Sequence, residues 1–85
     1  VADFLGLTPP QSELLEIRLA LTRAIRKQRE ARGLSPYQLA EKIGATEAQV
    51  AKIEAGDPYA SFDLLVKALI ASGMTRQELA AVIAA

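Results

Sequence analysis

The sequence predicts an all-α fold: a compact bundle of about five helices, with a long first helix and a helix-turn-helix inside it. Three observations predict this. Apolar residues recur at spacings of three and four, with no strand-like alternation and no internal repeat. Ser, Thr and Gly stand where helices would begin and end. The stretch SPYQLAEKIGATEAQVAKIEAG, from Ser35 to Gly56, carries two short amphipathic patterns joined by a turn containing Gly, which is the helix-turn-helix layout.

Residues 1–8 read as an N-terminal arm and 9–85 as a single domain. Phe4, Leu5 and Leu7 make the arm apolar, either as a frayed end or as a clip onto its own domain or a second subunit. Thr8 precedes Pro9 and Pro10, with Gln11 at capping-box spacing and Ser12 as a second candidate cap. A long first helix is expected from about Pro9 to Arg32, ended by Gly33. Leu14, Ile17, Leu21, Ala24 and Ile25 mark its buried stripe, and Leu15 and Leu19 widen the apolar face. At about 1.5 Å per residue it spans roughly 35 Å. That exceeds what a small bundle needs, so its first half should protrude or find a partner.

Ser35 is the candidate cap of the second helix, with Pro36 at its first position, where a missing N–H costs nothing. Tyr37, Leu39, Ala40 and Ile43 give it an amphipathic face. Gly44 ends it, because a sharp turn there wants positive φ. Thr46 caps the third helix with Gln49 at box spacing, Val50 and Ile53 supply its buried face, and Gly56 closes it. Asp57-Pro58-Tyr59-Ala60 reads as a loop. Ser61 caps a fourth helix with Phe62, Leu65, Val66, Leu69 and Ile70 apolar, closed near Gly73. Thr75 and Glu78 box a fifth, with Leu79, Val82 and Ile83 apolar.

Composition narrows the function. The 85 residues are 51% apolar with two Phe, two Tyr and no Trp, so the core must be aliphatic. With no Cys and no His, neither a disulfide framework nor a thiolate site can form, and the commonest general base is missing. Only carboxylates, Lys, Ser, Thr and Tyr remain for catalysis, and no motif arranges them, so neither an enzyme nor a bound cofactor is expected. No apolar run reaches the roughly 18 residues of a membrane span. Nothing at the start reads as a signal peptide, and Val1 implies a removed initiator or a trimmed chain. A reducing cytoplasm is the expected setting.

Formal net charge is zero, yet its distribution is uneven. Residues 18–32 hold Arg18, Arg23, Arg26, Lys27, Arg29 and Arg32 against Glu30 alone. The flanking segments are acidic. In a helix-turn-helix, bases are met by the first turn of the second short helix and the turn after it. Here that surface is Thr46, Glu47, Ala48, Gln49 and Lys52. Gln49 could pair with adenine, Lys52 could reach guanine or phosphate, Glu47 could accept from cytosine N4, and Ala48 could touch a thymine methyl. A plain solvated helix face is the competing reading.

The positions of Leu39-Ala40, Gly44, Val50, Ile53, Glu54 and Gly56 resemble the phage-repressor-type (Xre) helix-turn-helix family at its usual spacing. The similarity extends back to Ile25, Arg29, Gly33 and Leu34 and forward through Ser61-Phe62 and Leu64-Leu65, about two-thirds of the chain. It implies an ion pair between Arg29 and Glu54, joining the first helix to the end of the recognition helix. It also implies a small side chain at Ala40, where the two short helices cross. Within the family, the extended first helix and the VAKIEAGDP…SFDLLVKAL continuation look like antitoxins that repress their own operon and bind an RNase toxin.

Three positions depart from the family pattern. Pro36 stands where a DNA-contacting Gln is common, leaving Tyr37 and Gln38 as phosphate contacts. Glu47 brings negative charge towards a polyanion, and Asp57-Pro58-Tyr59 is not basic. Arg26, Lys27 and Arg32 would then supply much of the attraction. The expected function is a sequence-specific DNA-binding regulator, a repressor acting as a homodimer on palindromic double-stranded operator DNA. Phe4, Leu5 and Leu7 at one end and Leu79, Val82 and Ile83 at the other are the interface candidates. The competing class is a protein-interaction module that keeps the fold without DNA binding.

Overall fold

The computed structural model describes residues 8–85. The arm residues Phe4, Leu5 and Leu7 lie outside the described residues. Five helices follow in order: α1 (Pro9–Ala31), α2 (Pro36–Ile43), α3 (Glu47–Glu54), α4 (Phe62–Ala71) and α5 (Arg76–Ala84). No strand occurs among the described residues.

Each helix begins on a hydroxyl. Thr8, Ser35, Thr46, Ser61 and Thr75 accept from the backbone N–H three residues on, at 3.0–3.3 Å. In α1, α2, α3 and α5 the third helical residue returns the bond to the cap's own N–H, through Gln11, Gln38, Gln49 and Glu78. Hydrogen bonds from Thr75 hold the Glu78 carboxyl below the usual carboxylate range, with Arg32 adding in the same sense. Ser12 is no cap; it sits inside α1, its N–H donating to the Thr8 carbonyl at 2.9 Å. Gly44 is left-handed, φ 69° and ψ 34°, while nothing lies within 4 Å of where a Cβ would stand. The turn therefore needs glycine for its backbone angle and not for space.

The core is aliphatic. Leu21 and Ile25 of α1 meet Leu39, Ala40 and Ile43 of α2, Val50 and Ile53 of α3, and Leu65, Ala68 and Leu69 of α4. α1 is the spine, packing on α3, α4 and α5, while α2 packs on α3 and α4. Ala40 is 2% exposed, and its carbonyl accepts from Ala45 N–H at 2.9 Å. A larger side chain there would displace neighbours in a close-packed interior.

Several residues expected on apolar faces lie outside it. Leu14 is 49% exposed although it continues the Leu21 stripe, because the first half of α1 runs past the other helices. The protein is accordingly elongated, 40 × 27 × 17 Å. Ile70 is 56% exposed, because Leu69 and Leu65 take the inner face of α4 and their neighbour turns outward. At α5, Leu79 and Val82 pack against the core cluster, and Ile83 remains exposed.

Candidate nucleic-acid interface

α3 divides cleanly. Val50 and Ile53 are buried, whereas Glu47, Ala48, Gln49, Ala51 and Lys52 are exposed, as is the cap Thr46. The outer side is short, polar and bounded by small residues, so a rigid partner can approach closely. Glu47 stands in the first turn of α3, where the helix dipole favours a negative charge regardless of any ligand.

What anchors α3 lies behind it. Arg29 Nε donates to Glu54 Oε2 at 2.6 Å and Nη2 to Oε1 at 3.0 Å, a two-pronged pair with both side chains 10% exposed. Nη1 donates to the Leu34 carbonyl at 2.9 Å. One guanidinium thus holds the end of α3, the end of α1 and the entry to α2. The bonds to Glu54 raise the Arg29 pKa further, against the opposing effect of burial.

The two glutamines have work inside the fold. Gln49 Oε1 accepts from Thr46 N–H at 2.8 Å and Gln38 Oε1 from Ser35 N–H at 2.8 Å. A bidentate adenine contact needs both ends of the Gln49 amide. Its oxygen would then serve Thr46 and the base together through its two lone pairs, with Nε2 as donor to the base. Tyr37, 57% exposed, stands beside Gln38 at the start of α2.

The basic helix is less available than its charge suggests. Lys27 lines the groove between α1 and α5 with Met74, Glu78 and Val82. It stands about 200° around α1 from Arg29, at about 100° per residue, and so away from α3. Arg32 donates to the Gly73 carbonyl at 3.1 Å, on the same α5 side. Lys27 and Arg32, both expected to draw DNA, thus stand on the α5 side of α1. Arg26 is exposed, with Glu30 as a surface partner at 3.7 Å.

Arg18 has a role that its sequence position does not announce. Its Nη2 donates to the carbonyls of Ala60 at 2.7 Å, Pro58 at 3.3 Å and Asp57 at 3.4 Å. It ties down the loop that leaves α3. Asp57 Oδ1 accepts from Tyr59 N–H at 2.9 Å, shaping the same loop. The loop holds Tyr59 out at 93% exposure, beside a shallow cleft of about 560 Å³ lined by Lys52, Gly56 and Pro58 among others. Asp before Pro was a legible turn signal; the arginine 39 or more residues away was not.

Among the described residues no group of three or more acidic, Cys or His side chains could hold a metal ion. No helix among the described residues is long and apolar enough to cross a membrane. Residues 25–71 match the model of the helix-turn-helix family. Searches of curated proteins and of solved structures each find no match. The match covers more than half of the 85 residues, including α2, the Gly44 turn, α3 and α4, so the chain belongs to the Xre-type helix-turn-helix family of DNA-binding regulatory domains.

Proposed function

We propose that the chain is a sequence-specific transcriptional repressor, acting as a homodimer with one α3 in the major groove of each half-site, about 34 Å apart. The reading rests on one observation: Gln49 and Lys52 are exposed on a helix whose other side is buried and pinned by Arg29 and Glu54. In this reading Thr46, Glu47, Ala48, Gln49 and Lys52 meet the groove, and Tyr37, Gln38 and Arg26 lie towards the backbone. Residues 9–85 act as one domain. An autoregulating antitoxin is the narrower form, and it requires a toxin on a surface away from α3.

The test is a fluorescence titration against the DNA upstream of the gene, and against random duplex, across a range of salt. Specific binding is expected with a measurable slope of log affinity on log salt. Gln49→Ala combined with Lys52→Ala should remove the preference for the upstream sequence. Losing the reciprocal bond to Thr46 lowers stability by only about 0.5–1 kcal/mol, since that N–H is exposed. A preference that survives the double change sinks the assigned face.

A second reading has an observation of its own. Arg18 and Arg32 are committed to backbone carbonyls, and Glu47 and Asp57 border the α3 surface. That suits a protein-interaction module, for which binding to upstream and random DNA would be equally weak.

A further inference from the structure

The outer side of α1 is unusual for a single small domain. Leu15 and Leu19 are 41% and 43% exposed, although the helix continues well past them into the core. With Ser12 and Thr22 they step along the helix by three, four and three residues, the spacing of a two-stranded seam. Leu15, Leu19 and Thr22 also form one wall of a groove of about 230 Å³ whose other wall is the Gly56–Pro58 loop. The surface is therefore concave enough to seat a row of side chains.

Charge identifies the occupant. Glu16 and Arg23 flank this seam, both exposed, and neither forms an ion pair among the described residues. They are seven residues apart, two helical turns, and so lie along the same edge. A second α1 laid antiparallel, with its twofold axis between residues 19 and 20, puts Glu16 of each copy opposite Arg23 of the other. Under that one operation the edge is complementary to itself, and Leu19 comes to the centre.

We infer that the exposed half of α1 is the contact between two copies of this chain, an antiparallel helix pair in the register Glu16 to Arg23. The inference deepens the proposed dimeric repressor by naming its subunit contact. The leucines supply the apolar burial. The exposed charge pairs add little affinity each, but they choose the partner and the register. The pairing leaves α3 outside the contact, and both Leu79 and Val82 in their own core.

Sedimentation equilibrium without DNA tests this independently of any operator. The wild-type chain should dimerise, and Leu19→Glu should make it monomeric. Glu16→Arg alone and Arg23→Glu alone each place like charges opposite one another twice, raising the dissociation constant about tenfold. An equimolar mixture of those two variants restores both attractions and should return association to within about threefold of wild type. All the changed residues are exposed, and unchanged thermal unfolding verifies that the variants fold. A wild-type chain that stays monomeric at several hundred micromolar overturns the inference, and leaves the face to another protein. Single variants that associate like wild type, or a mixture that gains nothing, overturn it equally. DNA binding that failed while this pattern held would count against the repressor reading and leave the contact standing.

Discussion

At the scale of single residues, Glu54 matters most. Removing its carboxylate leaves Arg29, 8% exposed, with only the Leu34 carbonyl as partner. Glu54→Ala should therefore lower stability by about 3 kcal/mol, read by urea unfolding. A loss below about 0.5 kcal/mol would mean that water replaces the carboxylate. The pair was visible in the sequence through the family resemblance, which puts an Arg and a Glu 25 residues apart in one place. The bonds of Arg18 had no such guide. Its partners are backbone carbonyls, and any residue has one, so nothing in the sequence marks them. The same blindness explains Arg32 and Gly73. A cation in a basic run looks like a phosphate contact until the fold shows which carbonyl it already holds.

At the scale of elements, the helix starts were the easiest features to see. A Ser or Thr followed three residues later by Gln or Glu states both halves of a reciprocal bond in the sequence. The cost of that clarity is a double role for Gln49, which completes the cap of α3 and stands on its outer face. The Asp57–Ala60 loop is the opposite case, since its ends are legible and its anchor is not. Arg18→Met keeps the aliphatic stem and removes the donors to Asp57, Pro58 and Ala60. Stability should fall by about 2 kcal/mol by chemical denaturation, as expected for a charged donor. Hydrogen exchange should quicken at Tyr59 and Ala60, with α5 unaffected. Equal protection in both proteins would mean that the loop holds itself, through Asp57 and Tyr59.

At the scale of the whole molecule, zero net charge sets how the protein meets a polyanion. The positive segment within 18–32 is partly spent inside the fold, on Asp57, Glu54 and Gly73. Arg18, Arg29 and Arg32 are thereby held by the fold and not free to follow a phosphate backbone, so the salt slope should be shallow. Glu47→Gln removes a negative charge from the exposed start of α3. Affinity for random duplex should rise about threefold at low salt and the gain should fade as salt rises. An unchanged affinity would mean that α3 does not approach the phosphates.

The sequence by itself determined the number and order of the helices, their hydroxyl caps, the glycine turn at Gly44 and most of the aliphatic core. These depend on spacings of three and four residues and on side chains that bond their own backbone, so local order suffices. Tertiary structure alone decided which apolar residues stay outside, as with Leu14 and Ile70, and where the cations point. The reason is physical. An apolar stripe says which side of a helix seeks cover, but only the lengths and crossing of neighbouring helices decide how much of that stripe they reach.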